Sequence, residues 1–132
     1  MNELKKRLYE AMLNKDAVVV IGETGIGKTS IINEFIEENG LSCLRLSCNC
    51  FSLKNIQVFL EYNNKEYDAV FFDMIDCCDE EVRDILLNEV KKCKSLGLFV
   101  IATAWPTKHF NREPISKERY AKYFNGIINY SY

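Results

Sequence analysis

The stretch Ala17–Ser30, AVVVIGETGIGKTS, decides how this chain is read. Ala17 to Ile21 is continuously apolar and mostly β-branched, the pattern of a strand buried on both faces of a parallel sheet. It runs into Gly22-Glu23-Thr24-Gly25-Ile26-Gly27-Lys28-Thr29, which fits G-x-x-x-x-G-K-[ST] without a mismatch. Glycines allow positive φ, so successive N–H groups can turn inward and form an anion nest. A helix predicted from Gly27 or Lys28 to Asn39, with Ile31, Ile32, Phe35 and Ile36 inward, adds its positive end to that nest. The pattern implies a phosphate site. Lys28 supplies a point charge to the β and γ phosphates, Thr29 offers a hydroxyl to Mg²⁺, and Ser30 lies on the α phosphate side.

Outward from this loop the elements alternate. Leu4, Leu8, Ala11 and Met12 recur at helical spacing over residues 3–14. Strands are expected at Cys43–Cys48, Asp68–Ile75, Leu98–Thr103 and Gly126–Tyr130. Helices are expected at Leu53–Tyr62 (Leu53, Ile56, Phe59 and Leu60 inward), Asp79–Ser95 and Ser116–Phe124. The Asp79–Ser95 segment is acidic at its start and basic at its end, an order that complements the helix dipole. Alternating strands and helices predict an α/β fold, a three-layer αβα sandwich on a five-stranded, mostly parallel sheet. At 132 residues the expectation is one domain over 1–132. Ligands in such sheets bind beyond the carboxyl ends of the strands.

Composition narrows the partners. The chain is 48% hydrophobic and 27% charged with net charge −2, so no basic field points to nucleic acid except through a partner. The first helix carries Lys5, Lys6 and Arg7, read as a solvated outer face. No apolar run reaches membrane-span length, and MNELKKRLYEAML lacks the core of a secretion signal, so the expected location is cytoplasmic with no membrane partner. Six cysteines are then expected as free, buried thiols. His109 is read as exposed, and Trp105 and Phe110 as packing over the sheet end.

A triphosphate needs a metal, and the strand VFFD supplies a carboxylate, Asp73, to share Mg²⁺ with Thr29. With GETGIGKTS, VFFDMID and FVIAT in this order, nearly the whole chain resembles the additional-strand ATPases, specifically AAA+ domains. The resemblance implies strand order 5-1-4-3-2, an ATP·Mg²⁺ ligand and a γ-phosphate sensor at Thr103. It also implies action on a protein or nucleic-acid complex and homo-oligomers. Arg119, or Arg112, is the candidate finger across a subunit interface. The family's catalytic glutamate is replaced by Met74, which cannot accept a proton; Asp76 or Glu23 is the candidate substitute. The sequence ends just after the fifth strand, so the family's helical lid is expected to be missing. The implied strand order would bring Cys48, Cys50, Cys77 and Cys78 to one corner, where Zn²⁺ or a disulfide is the alternative to free thiols. The leading expectation is an ATPase with low intrinsic activity. Its alternatives are a hydrolysis-deficient, nucleotide-gated binding module and a small nucleotide kinase.

Overall fold

The computed structural model describes residues 2–23, 27–61, 67–108 and 111–131. Helix α1 (Glu3–Asn14) begins where the Asn2 side chain accepts from the N–H groups of Leu4 and Lys5, and ends on Lys15 in the left-handed region. Strand β1 (Ala17–Ile21) follows, then α2 (Lys28–Glu38) and β2 (Cys43–Ser47). After α3 (Ile56–Glu61) come β3 (Ala69–Asp73), α4 (Glu80–Ser95), β4 (Phe99–Ala104), α5 (Lys117–Ala121) and β5 (Gly126–Asn129).

The five strands form one parallel sheet in the order β2-β3-β4-β1-β5, the expected order read in reverse. The alternation of β1 explains its unbroken apolar run. Ala17, Val19 and Ile21 join Val70, Phe72, Val100 and the inner stripe of α4 on one face. Val18 and Val20 join Phe71, Phe99 and Ile101 under α1 and α2 on the other. A polar residue in β1 would therefore be buried whichever way it pointed. Each large side chain so buried is worth about 1.5–3 kcal/mol.

Several boundaries differ from expectation for local reasons. Helix α3 starts three residues late because the Asn55 side chain accepts from Ser52 N–H at 2.8 Å and donates to Cys50 O at 3.2 Å, closing a turn. Leu53, expected inward, is 50% exposed as a result. The expected end of that helix at Tyr62 and the side chain of Phe59 lie outside the described residues. Strand β2 stops at Ser47 because Cys48–Cys50 tighten into a 3₁₀ turn. Strand β3 stops at Asp73 because Met74 adopts φ +57°. Helix α5 is shorter than expected, opened by Ser116, whose hydroxyl accepts from Arg119 N–H.

Lys5 is not on an outer face. It turns to α2, where Nζ meets Glu34 at 2.5 Å and Glu38 at 2.9 Å. The six cysteines are thiols outside any disulfide, with Cys48, Cys77, Cys78 and Cys93 buried, Cys43 half-buried and Cys50 exposed. No group of three or more His, Cys, Asp or Glu side chains that could hold a metal occurs among the described residues. Nor is any helix among them long and apolar enough to cross a membrane.

Candidate nucleotide site

Parallel pairing brings the carboxyl ends of β1, β3 and β4 to one edge, because Val20 registers with Thr103 and Phe72 with Ala102. Gly22 N–H donates to Ala104 O at 3.1 Å, so the loop leaves the sheet still anchored to β4. Gly27 caps α2 at φ +84°. A Cβ there would meet nothing within 4 Å, so glycine is required by backbone conformation and not by space. Thr24, Gly25 and Ile26 lie outside the described residues.

Lys28 begins α2 and is 7% exposed. Its ammonium donates to Gly22 O at 2.6 Å and Glu23 O at 3.1 Å, and so holds the start of its own loop. Burial lowers its pKa from the ordinary lysine value, while the charges of Asp73, Asp76 and Glu23 oppose that shift.

The Thr29 hydroxyl donates to Asp73 at 3.2 Å (Oδ1) and 3.4 Å (Oδ2), across 44 residues of sequence. The Thr103 hydroxyl donates to the same Oδ1 at 2.6 Å and accepts Met74 N–H at 2.8 Å. Ile75 N–H adds a bond to Thr103 O at 3.0 Å. One β4 residue thus fixes both the carboxylate of β3 and the turn that follows it. Ser30 joins Lys28, Thr29, Asp73, Met74 and Thr103 around a cavity of about 260 Å³. A threonine hydroxyl and a carboxylate at this separation are hard oxygen donors that suit Mg²⁺, which keeps part of its shell for water and phosphate.

Asp76 is fully buried. Its Oδ2 accepts Trp105 N–H at 3.0 Å, and its carbonyl accepts Arg83 Nη2 at 2.6 Å and Nε at 3.1 Å. The loop after β3 is therefore tied to the end of β4 and to α4. Arg83 was not singled out from sequence. The signal was there: residue 83 falls on the apolar stripe Val82, Leu86, Leu87, Val90, where an arginine needs a buried partner. Arg112 pairs with Asp79 at 2.9 Å, and Arg119 with Glu80 and Asp84 one turn apart on α4. Both candidate fingers therefore hold partners within the chain. His109 and Phe110 lie outside the described residues.

A phosphate-loop signature between β1 and α2, with a strand inserted between β1 and the Asp73 strand, defines an additional-strand P-loop domain. The model of the ATPase family associated with various cellular activities (AAA) matches residues 18–125, and the chain belongs to that family. Among solved structures, the Thermotoga maritima RuvB Holliday junction branch migration motor is 20% identical with a TM-score of 0.67, over 98% of this chain and 44% of that one. The replication initiator DnaA bound to AMPPCP and single-stranded DNA is 16% identical with a TM-score of 0.70, over 99% of this chain and 46% of that one. At these identities the likeness is one of fold, and this chain spans less than half the length of either. Comparison with curated proteins finds no match.

Proposed function

We propose that residues 1–132 act as one AAA+ nucleotide-binding domain that takes up ATP·Mg²⁺ and hydrolyses it slowly, or on assembly, to drive remodelling of a protein or nucleic-acid complex. The observation that carries this reading is the meeting of Thr29 and Asp73 beside the Lys28 ammonium. Backbone N–H groups of the loop and Lys28 bind the phosphates, and Ser30 lies toward the α phosphate. Thr29 and Asp73 hold the metal, which when bound neutralises charge on the β and γ oxygens. Thr103 orients Asp73 and so reads the γ phosphate through that carboxylate. Asp76 positions the loop, and Arg119 is the candidate interfacial cation once released from α4.

The Lys28 variant tests binding. Lys28→Ala removes a charged donor, worth ~10- to 100-fold in affinity. Titration calorimetry with a nonhydrolysable ATP analogue and Mg²⁺ should show that loss in a protein that circular dichroism finds still folded, although less stable, because Lys28 also donates to the carbonyls of Gly22 and Glu23. Equal affinity in both proteins overturns the reading.

Met74 favours a second reading. It stands directly after Asp73, its backbone is turned by φ +57°, and its side chain has no acidic oxygen to activate water. A domain that binds ATP without turnover would act as a nucleotide-gated module, changing its loops to recruit a partner.

A further inference from the structure

Tyr120 points from α5 into the core and is 1% exposed, yet its hydroxyl finds no hydrogen-bond partner among the described residues. Native folds leave few buried polar groups in that condition. The usual remedy is an internal water that joins the orphan to other buried polar groups. Such groups are at hand. Arg119, the preceding residue, spans Glu80 and Asp84 and so holds α5 against the first turns of α4. Arg83 lies on those turns at 4% exposure, and Asp76 just before them is fully buried. Among the titratable groups, Asp76 acts on the Tyr120 hydroxyl most strongly, and Arg83 next. Burial pushes the hydroxyl's pKa up from its ordinary 10.0, Asp76 adds to the rise and Arg83 opposes it, so the group stays a protonated donor. Arg83 gives Nε and Nη2 to the Asp76 carbonyl and Nη1 to Glu80, and each Nη carries a second N–H. A carboxylate carries about four lone pairs, and Trp105 N–H takes one of those on Asp76, at Oδ2.

We propose that one internal water is bound between the Tyr120 hydroxyl, the Asp76 carboxylate and the Arg83 guanidinium. The hydroxyl and an Arg83 N–H donate to the water, and the water donates to Asp76. That gives it about three bonds, the usual number for a buried water. A larger ligand does not suit groups this enclosed. The consequence is mechanical. Helix α5 gains a polar tie to the loop that leaves β3 at Asp73, and Trp105 N–H ties the same loop to β4. Tyr120 is therefore a positioning residue for that loop, and it neighbours Arg119, the candidate interfacial cation.

Tyr120→Phe keeps the ring and its edge-on contact with Phe124 at 5.9 Å, so the variant should fold, which circular dichroism checks. The sign of its effect decides the matter. Removing a hydroxyl that is buried without a partner would raise the urea midpoint. Removing one that sits on a shared water should lower the midpoint by at least ~0.3 M. Oxygen-17 magnetic relaxation dispersion counts waters held longer than the protein takes to tumble, and that count should fall by about one in the variant. A high-resolution crystal structure of the wild-type chain should show a water within ~3.2 Å of both Tyr120 Oη and an Asp76 carboxylate oxygen. In an Asp76→Asn background, the midpoint loss on Tyr120→Phe should shrink by at least about half, because the water has lost its charged acceptor. A midpoint that is unchanged or raised, an unchanged water count, or a Tyr120 hydroxyl bonded directly to protein overturns the proposal. Losses that simply add in the double variant overturn Asp76 as the shared anion. Nucleotide affinity enters none of these measurements, so their failure leaves the ATP reading standing.

Discussion

Met74 carries the sharpest residue-scale question. Its φ of +57° is a region that side chains other than glycine and asparagine enter at a cost of roughly 1–2 kcal/mol. The bond from its N–H to the Thr103 hydroxyl and the bond from Ile75 N–H to Thr103 O hold it there. The turn that follows Asp73 is thus set by the backbone and by Thr103, not by the Met74 side chain. A carboxylate at this position should therefore occupy the same backbone geometry. Met74→Glu should raise phosphate release by at least ~10-fold, within the ~10²–10⁴ that a general base contributes. If single-turnover assays show no rise while analogue affinity is unchanged, the missing base is not what limits hydrolysis, and the nucleotide-gated module becomes the better reading.

At the scale of elements, the loop between β3 and α4 depends on a partner that lies seven residues downstream. Arg83 is 4% exposed and gives two donors to the Asp76 carbonyl. Arg83→Ala would leave that carbonyl and the surrounding buried polar groups short of a donor, a loss of about 1–3 kcal/mol. Urea unfolding should show the lower midpoint, and Arg83→Lys should recover only part of it because one ammonium cannot reproduce the guanidinium fork. A midpoint within a few tenths of wild type would mean that the loop has another anchor.

The same element shows why some of the molecule was legible in the sequence and some was not. Helix α1 follows from periodicity, strand β1 from an unbroken apolar run, Thr29 from a motif with fixed spacing, and Asp73 from an apolar strand that ends in a carboxylate. The start of α3 did not, because it turns on one Asn55 side chain capturing the backbone of Ser52, and Leu53 fits the helical period equally well inside or outside the helix. The end of β3 was missed for a similar reason, since Met74 and Ile75 look like strand and only the Thr103 bonds reveal the turn. The sequence placed Asp76 beside the site, but which way its carboxylate faces depends on Trp105 N–H from another strand.

For the whole molecule, the two apolar layers that flank the sheet also set its response to alkali. Burial pushes Cys43 and Cys78 up to about 11 and Cys77 and Cys93 up to about 12, from an ordinary value of 9.0. Burial is the first cause in each case, joined for Cys93 by the Glu89 charge. Below about pH 8 these thiols are protonated in both folded and unfolded chains and stability does not depend on them. Above it the unfolded chain sheds protons that the native state retains, so stability falls with pH until the folded values are passed. Each fully buried thiol contributes a slope of at most ~1.4 kcal/mol per pH unit in that window. Urea midpoints under reducing conditions should therefore drop between about pH 8 and about pH 10.5. Cys93→Ala, less stable at both values because it leaves a small cavity, should show a shallower drop. Lysines and tyrosines titrate alike in both proteins and cancel from that difference. Parallel declines in the two proteins would mean that the Cys93 thiol ionises as readily inside the fold as outside it, which a side chain at 2% exposure between α4 and the sheet should not do.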